Sequence, residues 1–236
     1  MGIGRSTMTG ASLLGLIVAR SGSVRSPNKN GRPFASRSLL EIAVGEALAA
    51  KHLDAVGLST DSDTYREVAR NTGLKETYLR PDHLSGPETS SADCVLHYVE
   101  WIKSRRSPEI THVVLLQPTS PFRSARDIDQ AIEAWRKSGR ASLVSMTPMA
   151  TDPRHIVLAD GMDKASSLER WEDTRKCFVL DGALFITSMR ALKKSGKFWD
   201  QESLPFINTY PCIFDIDTDR DFEASAAVYL QQGSKR

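Results

Sequence analysis

The sequence predicts an α/β fold, a mostly parallel sheet flanked by helices. Three observations carry that reading. Short runs such as Leu13 to Ala19 and Val113 to Leu116 are continuously apolar, as strands buried on both faces are. Stretches with helical spacing of apolar residues alternate with those runs along the chain. The composition, 40% hydrophobic and 25% charged over 236 residues, is that of a globular chain able to bury a core without staples.

Taken in order, residues 13–19 (LLGLIVA) read as the first buried strand, followed by a polar loop rich in Gly and Ser. Residues 38–51 have helical spacing, 54–60 read as a second strand, and 62–73 as a helix stopped by Gly73. A further helix spans 90–104, and a third buried strand spans 111–118 and ends at Pro118. Residues 124–139 form a helix capped by Ser124 and stopped at Gly139, and 141–148 a strand. Residues 149–176 are irregular and polar, and 178–186 read as a strand interrupted at Asp181-Gly182. A helix, a loop carrying Phe198 and Trp199, a strand over 211–217 and a last helix over 219–232 follow. Residues 1–10 are expected as a flexible leader and 11–236 as one domain. Within it, 149–210 is expected as an excursion from the sheet that serves as a lid or a dimer contact.

Lys and Arg number 31 against 29 Asp and Glu, a net charge of +2, which excludes a polybasic nucleic-acid binder. Cys94, Cys177 and Cys212 are scattered, with no CxxC, so a disulfide framework or zinc ribbon is not indicated and buried free thiols in a reducing compartment are expected. No apolar run reaches the ~18 residues of a membrane span. Arg5 ahead of Leu13 to Ala19 outlines a signal peptide, but Arg20 to Asn30 looks functional rather than like a cleavage site. A soluble, cytoplasmic protein is therefore expected.

In open α/β sheets ligands bind beyond the carboxyl ends of the strands, so the segments after Ala19, Thr60, Gln117, Thr147 and Ile216 matter most. The first, from Ala19 to Asn30, offers three cations, Arg20, Arg25 and Lys29, beside Gly22 and Ser23, whose small side chains let backbone N–H groups approach a phosphate. It matches neither GxxxxGK[ST] nor GxGxxG. It reads as a phosphate-binding turn or as a basic surface loop, and its place directly after a buried strand favours the former. Asp215 and Asp217 stand two apart, on one side of an extended chain, as a pair able to hold a hard divalent cation such as Mg²⁺. From Thr218 to Glu223 the acids instead suit a capped helix N-terminus. Asp61 reads equally as a ligand contact or a helix cap. The five histidines, at 52, 83, 97, 112 and 155, show no metal-binding spacing.

Six ordered segments, spread over roughly residues 13 to 230, carry a family resemblance. They are Arg20, Ser23, Pro27, Lys29 and Asn30 in the first loop; Ser59-Thr60-Asp61; Leu79-Arg80-Pro81 with Ser90-Ser91; Leu116-Gln117-Pro118-Thr119-Ser120-Pro121; Leu180-Asp181-Gly182-Ala183; and Asp215-Ile216-Asp217-Thr218. Together they resemble the acylneuraminate (sialic acid-type) cytidylyltransferases. The resemblance implies a Rossmann-like, nucleotidyltransferase-type fold and Mg²⁺-dependent transfer of CMP from CTP to a sugar acid, with release of pyrophosphate. It implies Arg20, Gly22, Ser23, Lys29, Asn30, Arg80 and Ser91 as nucleotide contacts, with Arg20, Lys29 and Asp217 catalytic and Asp215 and Asp217 on the metal. Gln117, Thr119, Ser120, Arg154 and Phe198 fall to the sugar acid, although by themselves Phe198 and Trp199 read rather as core packing. It also implies a homodimer.

Departures cluster on the acceptor side. Val24 stands where the family has lysine, and Arg25 is placed to compensate. His155 replaces a lysine, leaving Arg154 to supply the charge. Glu172 stands in for glutamine within Arg170 to Asp173, and Phe178 and Val179 replace tyrosine and arginine. Two rival functions share these features: a glycosyltransferase using a nucleotide-sugar donor, for which a D-x-D pair also serves, and a non-catalytic nucleotide-binding relative. The acceptor is expected among sialic, legionaminic, pseudaminic or octulosonic acids, or a non-sugar acid such as a phosphonate.

Overall fold

The computed structural model describes residues 12–23, 25–103, 105, 109–149, 157–160, 164–167, 177–208 and 215–233. The expected leader, Val24, Arg154, His155, Arg170 to Asp173 and Cys212 lie outside them. β1 (Leu13–Ala19) runs into the cationic loop, then a small ribbon of β2 (Pro33–Phe34) and β3 (Arg37–Ser38), then α1 (Leu39–Ala49). β4 (Ala55–Thr60), α2 (Asp63–Asn71), β5 (Glu76–Leu79) and α3 (Ser91–Lys103) follow, then β6 (His112–Leu115) and α4 (Ala125–Ser138). β7 (Ser142–Pro148), β8 (Val157–Asp160), β9 (Lys164–Ser167) and β10 (Phe178–Ser188) lead to α5 (Met189–Ser195), β11 (Leu204–Ile207) and α6 (Asp219–Gly233).

Seven strands form one sheet in the order β11-β7-β10-β6-β1-β4-β5. β1 pairs in parallel with β4 and β6, as does β4 with β5 and β11 with β7, while β10 runs antiparallel to both its neighbours. The mostly parallel sheet therefore holds. Its alternation is visible in β1: Leu13 and Ile17 enter one core cluster with α1 and α4 residues, and Leu14 and Leu16 enter another with α3 and α5 residues. Leu13, Leu14, Leu16 and Ile17 are all fully buried, which is why this strand shows no polar residue in the sequence.

The helix ends follow the expected chemistry. Ser124 caps α4 in a box with Asp127, and Gly139 closes it at φ +67°. Ser38 and Glu41 form the same box on α1. Thr218 precedes and caps α6: its hydroxyl accepts from the Asp221 N–H while the Asp221 carboxylate accepts back from Thr218.

Two expectations are corrected. The expected 149–210 excursion is not all outside the sheet, because β10 and β11 are strands of the main sheet; among the described residues of that stretch, β8 and β9 pair apart from it. No strand is seen in the described part of 211–217, where 215–217 are irregular and 209–214 lie outside the described residues. β5 and β11 were not legible: each has four residues, too few to display a period, and β11 carries Pro205, tolerated because it lies at the sheet edge. No helix among the described residues is long and apolar enough to cross a membrane.

Candidate functional site

The carboxyl ends of β1, β5 and β6 open toward a cleft of about 270 Å³, and the segments that leave them, with Asp215 and Asp217, supply its walls. Of the predicted residues, Arg20, Ser23, Lys29, Asn30, Arg80, Ser91, Gln117, Thr119, Asp215 and Asp217 all line it. The cationic loop and the acid pair thus meet although nearly 190 residues separate them in the chain. Lys29 Nζ donates to the Ile216 carbonyl at 2.5 Å and lies 3.1 Å from Asp217 Oδ1, while Arg25 Nη2 lies 3.3 Å from Asp217 Oδ2. The Ile216 N–H in turn donates to the Thr119 carbonyl at 3.3 Å.

Ile216 explains the placement of the acids. Its side chain is fully buried in a cluster with Phe34, Leu39, Ile42 and Phe222, so Asp215 and Asp217 on either side of it face the cleft. The alternation read from the sequence therefore survives without a strand. Asp215 opens onto the cleft, but the protein packed around it disfavours charge and raises its carboxyl above the ordinary range. The Thr119 hydroxyl bond opposes that rise and the neighbouring Asp217 charge adds to it. Two adjacent carboxylates, one of them disfavoured as an anion, form a donor set that fits a divalent cation. Among the described residues no group of three or more His, Cys, Asp or Glu side chains stands ready to hold a metal, so phosphate or water oxygens would complete the shell.

The loop that bears the cations is held from below. Asn28 adopts φ +52°, and the buried Tyr65 of α2 donates its hydroxyl to Asn28 Oδ1 at 2.7 Å. Gly31 is required there, since a Cβ would sit 2.6 Å from the Tyr65 ring. Ser26 and Arg32 both donate to Asp219 at the start of α6, at 2.8 and 2.6 Å, and Arg32 stacks over Phe222. Asp61 does not cap α2, which Ser62 does; its Oδ1 accepts from the Ser21 N–H at 2.8 Å, tying the loop to the end of β4.

Arg80 marks the other end of the cleft. It is 4% exposed, and its Nε and Nη1 have no partner among the described residues. Buried guanidinium donors without acceptors indicate a polar ligand at this end. Ser90, not Ser91, caps α3 through the Asp93 N–H, which leaves Ser91 free to face the cleft.

Other predicted contacts fall elsewhere. Ser120 is buried behind the turn that it forms with Gln117, and does not line the cleft. Gly22 is exposed at the loop tip outside the lining. Phe198 packs on Phe185 at 5.8 Å and lines a separate apolar hollow with Lys197 and Trp199. Sequence reasoning missed Gly86, Pro87 and Thr89 in the lining; the Gly-Pro turn just ahead of Ser90-Ser91 was the available signal.

Comparison with known proteins finds relatives over most of the chain. A family model described as cytidylyltransferase matches residues 14–186. The CMP-N,N'-diacetyllegionaminic acid synthase of Legionella pneumophila is 27% identical over 219 residues, covering 89% of this chain and 93% of that protein. The N-acylneuraminate cytidylyltransferase of Escherichia coli O18:K1:H7 is 28% identical over 232 residues, covering 95% of this chain and 53% of that protein, so the chain spans about half of that relative. Among solved structures, a CMP:2-keto-3-deoxy-manno-octonic acid synthetase complexed with CTP superposes with a TM-score of 0.67 at 15% identity, covering 94% of this chain and all of that one, a likeness of fold.

Proposed function

Because the chain belongs to the cytidylyltransferase family, we propose that it transfers CMP from CTP to a sugar acid of the sialic or legionaminic type. The acceptor hydroxyl oxygen bonds to the α-phosphorus, the bond to the β-phosphate oxygen breaks, and pyrophosphate leaves. The observation that supports this most directly is the meeting of Lys29 with Ile216 and Asp217 across the cleft, which brings phosphate-binding cations to a carboxylate pair. Such transfers are driven by positioning and charge neutralisation, and this cleft is built for both.

Each group then has a task. Arg20 and Lys29, with Ser23 and Asn30, hold the triphosphate. Arg25, already beside Asp217, adds a cation at the mouth, near the position where relatives carry lysine. Arg80 and Ser91 hold the nucleoside end, where the unpaired guanidinium donors meet base or sugar oxygens. Gln117 and Thr119 face the acceptor. Asp215 and Asp217 would hold Mg²⁺, which when bound neutralises charge on phosphate oxygens and acidifies a bound hydroxyl. Replacing Asp217 with Ala removes one acid and frees Lys29 and Arg25. Turnover, read as pyrophosphate release from CTP over a panel of sugar acids, is expected to fall by about two orders of magnitude or more while the thermal midpoint stays near wild type. Unchanged turnover would remove the metal assignment. A glycosyltransferase would release no pyrophosphate.

The reading includes a homodimer. Phe178, Val179 and Leu180, exposed in succession by 43%, 37% and 41% at the start of β10, are the apolar surface that supports it.

A further inference from the structure

A carboxylate outside the reaction holds the wall of the cleft that faces the acceptor. Asp181 is 7% exposed and accepts four hydrogen bonds. Its Oδ1 takes the Ser145 hydroxyl at 2.5 Å and the Ala183 N–H at 3.0 Å; its Oδ2 takes the Thr147 hydroxyl at 3.0 Å and the Asn208 amide at 2.5 Å. These donors come from β7, from β10 and from the residue after β11, so one side chain gathers three strands. It does so where the β10 register shifts, between Leu180 and Phe185.

The shifted segment touches the cleft wall twice. Gly182 adopts φ +69°, and a Cβ there would lie 2.8 Å from Gln117 Oε1. Arg123, 2% exposed, donates from Nη1 to the Ala183 carbonyl at 2.6 Å and to the Gln117 carbonyl at 3.1 Å. Asp181 therefore grips one end of the Ala183 residue and Arg123 the other, an anion and a cation bracketing one backbone unit in a buried setting. From Gln117 the turn runs to Thr119, whose hydroxyl bonds Asp215.

We propose that Asp181 is a positioning residue for the acceptor, setting Gln117 through the bulge and Arg123 without touching substrate. This rests on the sugar-acid reading above. A purely structural carboxylate would stabilise the fold and leave no selective trace on one substrate. A positioning residue instead separates the acceptor from CTP, because the triphosphate loop has its own anchors, Tyr65 on Asn28 and Asp219 on Ser26, and neither hydrogen bond involves β7, β10 or β11.

The test compares wild type with Asp181→Ala, Asp181→Asn and Thr147→Val. CTP affinity is measured by calorimetry without acceptor, and acceptor KM and kcat by pyrophosphate release. In Asp181→Ala, acceptor KM is expected to rise about tenfold to a hundredfold with CTP affinity held within about twofold. Asp181→Asn, the same shape with hydroxyl and amide partners able to reverse, is expected to restore most of the loss. Thr147→Val removes one donor, is the milder change should the alanine variant not fold, and is expected to raise acceptor KM about threefold to tenfold. Equal weakening of both substrates, or an unchanged acceptor KM, overturns the proposal. Hydrogen exchange on the same variants needs no acceptor. The proposal requires loss of protection at 117–123 as well as 181–184, and loss confined to 181–184 overturns it. Wild type that binds CTP yet turns over no acid on the panel refutes the acceptor reading, and the exchange result still judges the role of Asp181 toward Gln117.

Discussion

Arg80 and Tyr65 illustrate opposite uses of a buried polar side chain. Arg80 keeps unpaired donors beside the cleft, which costs stability in the free protein and is recovered when a ligand accepts them. Arg80→Met is therefore expected to weaken CTP binding by about tenfold to a hundredfold while the thermal midpoint does not fall, in a calorimetric titration paired with a melt. Tyr65 is fully engaged, and burial, with the Asp61 charge adding, pushes its hydroxyl up to about 12. A group protonated more firmly in the folded state contributes stability that is whole below its unfolded value near 10 and is lost as pH rises through the folded value. Wild type is thus expected to be more stable than Tyr65→Phe at neutral pH by about 1 kcal/mol, and to lose that margin between pH 10 and about 12. Urea unfolding of both proteins across that range checks it. Tyr65→Phe is also expected to loosen the turn at Asn28 and so raise the KM for CTP.

At the scale of elements, Tyr98 of α3 lies close against the sheet because β4 carries glycine at 57. A Cβ there would lie 2.5 Å from Tyr98 Cζ, and Tyr98 is fully buried and cannot swing aside. Gly57→Ala is expected to cost about 1–3 kcal/mol in urea unfolding, and because α3 starts at Ser91 it should also disturb the nucleoside end of the cleft. The interrupted strand at Asp181-Gly182 was legible as an irregularity; that it is a register shift clamped by Arg123 was not. A pairing register depends on the partner strand, which a single segment does not name.

Across the whole molecule, the site depends on three segments near positions 25, 118 and 216 being brought together by one mostly parallel sheet and one small core cluster under Ile216. The start of β10, where it pairs with the end of β7, is exposed and apolar. Sedimentation velocity is expected to show a dimer, and Leu180→Glu to shift it toward monomer with β1 and its cleft still folded; a wild-type monomer with full turnover would end that reading.

Read alone, the residues establish the strand-helix alternation, the helix caps and the two chemical groups of the site, because periodicity, capping and charge spacing are local properties. They do not reveal the four-residue edge strands, which are too short to carry a period, or that β10 and β11 return to the main sheet. Ser120 turning inward, Phe198 leaving the cleft and Asp61 tethering the first loop were likewise decided by tertiary packing. In each case the outcome depends on which distant surface the side chain meets, and only the folded chain supplies that surface.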